Sequence, residues 1–225
     1  MANPPPPDAP VEKKRGMGCW GCGCLILALV AVLFLGLVAG GAYLLYSEAV
    51  SLTSTTPATV PSFTGTDDVY QTAREKLSGF DHDLKNHQAA TIQLSADEIN
   101  ALISRDPDFI ENKIHLYVTL SNDQARAQIS LPVSFFQLGI LRDRYLNADT
   151  SFGLNFDPSA KTLNLDLRSA QVGDRDIPAD YLPMTQNEIN QVFNQMMQKD
   201  PNFEDFLQQA KSIRIKDGEL VIETQ

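Results

Sequence analysis

Three cysteines, Cys19, Cys22 and Cys24, stand in a C-x-x-C-x-C spacing just before a long apolar run. Thiolates are soft metal ligands, and three of them need a fourth ligand or a second chain to close a tetrahedral site. Cysteines at a membrane entry are also acylation acceptors in a eukaryotic host. A third reading gives them no chemistry. With Gly16, Gly18, Gly21 and Gly23 they then form only a small-residue lead-in to the run. No cysteine follows Cys24, so the remainder of the chain holds neither a disulfide nor a thiol nucleophile.

Other candidates for chemistry are sparse. The histidines are His82, His87 and His115. Asp83 and His87, four residues apart on a helix, would share a face and supply two metal ligands, one short of a catalytic zinc set. Asp174-Arg175-Asp176 reads as a polar loop without calcium-loop spacing. There is no Gly-x-Ser-x-Gly elbow, phosphate loop or His-Glu-x-x-His pair. No catalytic residue, cofactor or metal site is therefore assigned. Paired Asp or Glu carboxylates need no motif, so a hydrolase working by general acid and base stays open as the alternative.

The apolar run itself is more specific. Residues 25–46 carry no charge, and as a helix they would span about 33 Å, enough for a hydrocarbon core of about 30 Å. Gly40-Gly41-Ala42 offers a small-x-small cleavage site, but a secretory apolar core is usually shorter, roughly 7–15 residues. A retained transmembrane helix is the expectation. Lys13, Lys14 and Arg15 precede it and the first basic residue after it is Arg74, which places the N-terminus in the cytoplasm and everything after Tyr46 outside. Trp20, Tyr43 and Tyr46 suit the interfaces. Gly36 and Gly40 form a Gly-x-x-x-Gly face through which two spans could pack as a homodimer.

Residues 1–24, with Pro4-Pro5-Pro6-Pro7, form a cytoplasmic tail of disordered or polyproline type. They hold three basic and two acidic residues of the chain's 18 and 28, so the part beyond carries a net charge of −11. An acidic exoplasmic part argues against nucleic acid and against docking on anionic headgroups. Residues 47–66, rich in Ser, Thr and Pro, read as a linker that lifts the following domain, residues 67–225, off the membrane.

That domain reads as α+β. A stripe of Val69, Ala73, Leu77, Phe80 and Leu84 predicts a helix over 67–87, followed by a short strand at 90–94. Ser95 and Glu98 form a capping box for a helix over 95–104, which Asp106-Pro107 ends. Strict alternation predicts a hairpin of Ile114–Leu120 and Ala125–Val133 around Asn122-Asp123. A second pair follows, Leu146–Phe156 and Leu163–Val172 around Asp157-Pro158, with a bulge where parity shifts after Ser169. Thr185 and Glu188 predict a second capping box, opening a helix over 185–198, and a short helix follows Pro201. Asp217-Gly218 predicts a terminal hairpin in which Lys216 faces Glu219, Ile215 faces Leu220 and Ile213 faces Ile222. The expected architecture is one antiparallel sheet covered on one face by the helices at 67–87, 95–104 and 185–198.

"SADEINALISRDPDF" and "TQNEINQVFNQMMQKDPNF" echo one another, each with Glu-Ile-Asn, an apolar pair and Asp-Pro. The echo reads either as two related helix–hairpin units or as convergent use of a good cap and a good helix stop. Asn100 and Asn190 occupy matching places in it. The opening "LSADEINALI", with "VGDRDIP" and the terminal "IRIKDGELVI", resembles the YpmS-like bacterial membrane proteins over roughly Ala89 to Gln225. The resemblance implies one membrane span, an extracytoplasmic domain of uncharacterised function and no catalytic residues to carry over; binding of lipids or envelope partners is what related small α+β envelope domains suggest. The expected function is therefore binding or adaptor work in the cell envelope, on a lipid, a glycan or a protein. Met184, Met196, Met197 and the phenylalanines would either line an acyl cradle or simply form the core. The absence of an N-x-Ser/Thr acceptor and of exoplasmic cysteines leans towards a bacterial plasma membrane.

Overall fold

The second capping box does not form. In the computed structural model, which describes residues 52–136, 143–197 and 201–225, the helix begins at Leu182, three residues before Thr185. A 3-10 turn over Ala179–Tyr181, entered from Pro178, feeds directly into it. Thr185 is buried inside the first turns, and its hydroxyl donates to the Tyr181 carbonyl at 2.9 Å. Proline fixes φ near the helical value, so the start moved to where the chain was already turning.

The other local signals hold. Helix α1 covers Asp67–Lys85, with Ala73, Leu77 and Phe80 buried, two acids in the first turn and His82 and Lys85 in the last, as the helix dipole favours. Strand β1 (Thr91–Ser95) runs into α2 (Ala96–Ser104) through a complete capping box. The Ser95 side chain accepts from the Glu98 N–H at 3.2 Å and the Glu98 carboxylate accepts from the Ser95 N–H at 2.9 Å. Asp106 then caps a one-turn helix, α3 (Pro107–Glu111). Strands β2 (His115–Ser121) and β3 (Gln124–Pro132) pair across Asn122-Asp123, and Asn122 takes the left-handed φ of 51° that the tight turn requires. Strands β4 (Tyr145–Asp157) and β5 (Thr162–Val172) form the second hairpin, and β6 is a two-residue strand, Arg175–Asp176. Helices α4 (Leu182–Met197) and α5 (Pro201–Gln209) precede β7 (Ala210–Lys216) and β8 (Glu219–Thr224). The Asp217-Gly218 turn sets the expected register, with Lys216 on Glu219, Ile215 on Leu220 and Ile213 on Ile222.

The bulge sits one residue earlier than parity suggested. Ser151 pairs with Ser169 and Phe152 with Leu167, so Arg168 is the extra residue. It lets Leu163, Leu165 and Leu167 face inward on one side of it, and Ala170 and Val172 on the other.

The strands form two antiparallel sheets rather than one: a five-stranded sheet β2-β3-β4-β5-β6 and a three-stranded sheet β1-β8-β7. The small sheet is closed by pairing Thr91–Ser95 with Glu219–Glu223, and β7 packs against β4. Both sheets and the helices share one apolar cluster, which includes Phe80, Leu94, Leu163, Leu165, Ile189 and Phe193. Phe193 meets Phe203 edge-on at 6.5 Å, Phe203 lies 5.6 Å from Phe206, and Phe206 meets Phe80 at 6.4 Å. These rings are core. Met184 is 40% exposed on the outside. Among the described residues no helix is long and apolar enough to cross a membrane. The expected span at 25–46 lies outside them.

Helices α1 and α2 are joined by charge as well as by packing. Lys76 pairs with Glu98 at 2.6 Å, and Arg105 pairs with Asp67 while lying 4.4 Å over the Tyr70 ring. Burial alone would raise the Glu98 pKa, but the Lys76 ammonium and the Ser95 N–H outweigh it and hold the carboxyl below its ordinary 4.5. A depressed carboxylate stabilises the fold above its unfolded pKa, and that contribution is lost as pH falls through 4.5 and lower. Urea midpoints of the purified chain should therefore drop on acidification from about pH 5 to about pH 3. Glu98→Gln should start lower at neutral pH and fall less steeply; an unchanged slope would remove Glu98 from the account.

Candidate functional site

The five-stranded sheet has a buried face and a face turned to water, as alternation along its strands dictates. Outward-facing residues form rows across it. One row is Tyr117, Gln128, Asp149, Gln171 and Asp176; the next is Thr119, Arg126, Ser151 and Ser169. Except for Tyr117 and Gln128, these rows form the floor of an open groove of about 650 Å³, rimmed by Arg168, Ile177, Ala179 and Leu182.

Three of its four charged side chains, Arg126, Asp149 and Arg168, are already paired; Asp176 has no side-chain partner among the described residues. Arg126 grips Asp149 through two hydrogen bonds of 2.8 and 2.5 Å, and Gln128 adds a third at 3.0 Å. That guanidinium, helped by Gln128, holds the Asp149 carboxyl below the usual carboxylate range. Arg168 reaches Asp123 at 2.9 Å. The hydroxyls are not paired. The side chains of Thr119, Ser121, Ser151 and Ser169 have no hydrogen-bond partner among the described residues. Such a surface presents hydroxyl donors and acceptors and one carboxylate, Asp176, to a polar ligand. A second open groove, of about 600 Å³, lies at the other end of β4 between Thr55, Glu111, Lys113, Asp143 and Arg144.

The two outer edges of this sheet are held in the same way. Asn100, 2% exposed on α2, donates to the Val118 carbonyl at 2.7 Å and accepts from the Val118 N–H at 2.8 Å. Asn190 on α4 donates to the Leu165 carbonyl at 3.0 Å and accepts from the Leu165 N–H at 2.8 Å. Gln186 takes the Leu167 N–H at 3.1 Å. The two echoing asparagines thus each complete the hydrogen bonding of a strand that, among the described residues, has no further strand beside it there. The strand follows its helix in the first case and precedes it in the second.

The remaining candidates separate. His87 lies past the end of α1 with a φ of 53°, so it does not share a helix face with Asp83. Arg175 and Asp176 form β6, beside Val172 and Gln171. No cluster of three potential metal ligands occurs among the described residues. Cys19, Cys22, Cys24, Gly36 and Gly40 lie outside them. The groove was missed in the sequence because its residues come from five strands and the segment after them, although the strand positions alternate as outward ones.

Residues expected to act as a spacer are tied to the domain. Ser54 pairs with Tyr145 through backbone hydrogen bonds of 2.8 and 2.7 Å. Asn147 donates to the Thr56 carbonyl and accepts from the Ala58 N–H at 2.9 Å and from the Ser130 hydroxyl at 2.8 Å. Arg144 binds Thr53 through its hydroxyl and carbonyl. Comparison with family models, curated proteins and solved structures finds no match to this chain.

Proposed function

We propose that this chain is a single-pass protein of a bacterial plasma membrane whose extracytoplasmic α+β domain works by binding, and that the outward groove of its five-stranded sheet takes a polar polymer of the envelope, a glycan. What supports the reading is the groove's composition: hydroxyls with no partner among the described residues, set beside the Arg126–Asp149 pair and one carboxylate, Asp176, that is left for a ligand's hydroxyls. An acyl chain would need a mainly apolar lining, whereas the floor of the sheet groove is polar and charged and its apolar side chains, Ile177, Ala179 and Leu182, stand on the rim. The echoing helices are read as a shared edge-holding device rather than a tandem copy, because their strands lie on opposite sides of them in the chain.

The alternative is a hydrolase, favoured by one observation: Asp149 and Asp176 lie on the same row of the groove. A general acid needs a raised pKa. Every carboxylate with a resolved shift moves the other way, through arginine, lysine, amide or hydroxyl partners.

The test is titration of neutral and N-acetylated oligosaccharides, followed by NMR shifts of the β3–β5 amides and by calorimetry. Ser151→Trp fills the groove with a ring that an outward strand position accommodates. It should weaken binding by tenfold or more with Tm changed by no more than about 2 °C. Binding unaffected by that variant, or no saturable binding of any oligosaccharide, would overturn the glycan assignment. Release of reducing ends during the titration would establish the hydrolase.

A further inference from the structure

The hydrogen bonds of Thr53–Ala58 have a consequence for where the groove sits. Only five residues separate Tyr46, the last of the expected span, from Leu52, which packs against the core. Whatever their conformation, a chain of that length reaches at most about 20 Å. Ser54, two residues further on, pairs with Tyr145, so the end of β4 at Arg144, Tyr145 and Asn147 must lie within about 30 Å of the membrane surface. Asp149 and Ser151 stand four and six residues further along β4, about 13–20 Å beyond Tyr145. The turn at Asp157–Ser159 is about 40 Å from Tyr145.

We infer that residues 53–58 are a strap that seats the domain on its own membrane in one orientation, with the Lys113–Arg144–Tyr145 end down, so that the groove opens sideways within about 50 Å of the bilayer. Its partner is accordingly a component of the membrane-proximal envelope layer, and not one that a freely swinging domain would have to sweep for. The inference rests on the membrane anchor proposed above.

Two side chains, Asn147 and Arg144, and the backbone of Tyr145 carry the strap, and none lines the sheet groove. Asn147 satisfies Thr56, Ala58 and Ser130 together, Ser130 being fully buried beneath. Arg144 fixes Thr53, and Tyr145 supplies backbone pairing to Ser54.

The test uses the full chain, with Cys19, Cys22 and Cys24 changed to serine, in liposomes containing an acceptor lipid. A donor dye is placed at Glu111→Cys or at Ser159→Cys. Energy transfer should be clearly greater from residue 111 than from 159, and the difference should collapse in Asn147→Ala combined with Arg144→Ala. Hydrogen exchange should show the Ser54 and Ala58 amides protected in the parent and at least tenfold faster in the double variant. The Val118 and Leu165 amides should stay slow, showing an intact core. Equal transfer from both sites in a chain that resists alkaline extraction would overturn the seating and leave the anchor standing. Extraction of the chain from the bilayer, with Ser54 and Ala58 still protected, would instead overturn the anchor and with it the seating.

Discussion

Asn100→Ala should cost about 3–5 kcal/mol, read as a fall in the urea midpoint of the purified chain followed by circular dichroism. The substitution removes two hydrogen bonds and, more importantly, leaves the N–H and carbonyl of Val118 buried without partners. Each orphaned group costs about 1–3 kcal/mol. Asn190→Ala removes the same pair of bonds from Leu165, but Asn190 is only half-buried and water can reach the freed edge. Its cost should be nearer 1–2 kcal/mol. Asn100→Asp supplies a sharper check. An ionised carboxylate can accept from the Val118 N–H but must face the Val118 carbonyl oxygen, whereas the protonated acid serves both. Its folded pKa is therefore raised, and the stability it contributes is present below the ordinary aspartate value and lost as pH rises through the folded one. The variant should gain on the parent as pH falls. A flat difference between them would show that the bidentate contact is not what holds β2.

Phe193→Ala should be comparably severe, about 3–5 kcal/mol. The ring is fully buried and is one of a chain of aromatic contacts running through Phe203 and Phe206 to Phe80, which links α4 and α5 to α1. Removing it opens a cavity that three rigid neighbours cannot close. Phe193→Leu keeps much of the volume and should cost about 1.5 kcal/mol or less. Urea unfolding of both variants decides between two uses of these phenylalanines. A loss below about 1 kcal/mol for the alanine variant would mean that the ring borders a space already open, as an acyl cradle requires, and would revive a lipid as the occupant.

The residues that could be read correctly in isolation are those whose partners are close in the chain. The Ser95–Glu98 box closes over three residues, the Asp217-Gly218 turn over two, and the β2–β3 and β4–β5 hairpins over short loops whose alternation leaves one acceptable register. Thr185 misled because an equally good box lay just downstream of a proline-led turn that had already started the helix. One-residue precision failed at the bulge, because parity locates a shift between Leu167 and Ala170 without saying which residue is extra.

Contacts across long separations were decided only by the tertiary structure. Strand β1 pairs with β8 rather than with its neighbours in sequence, which divides the strands between two sheets. Asn100 and Asn190 announce themselves as polar residues beside an apolar stripe, but nothing local says which strand edge each completes. The strap depends on Asn147 and Arg144, about ninety residues from the segment they hold. A Ser/Thr/Pro composition specifies that such a segment has no core of its own; whether a distant sheet supplies its hydrogen-bond partners is a property of the folded surface. The amino-acid sequence by itself thus determined most of the elements, though not the one-turn helix α3 or the short strand β6, together with their inward faces and the order of polar and apolar positions. Only the tertiary structure decided which outward positions meet in a groove and which end of the domain its own linker is bound to, because both depend on contacts the chain makes after its strands have paired.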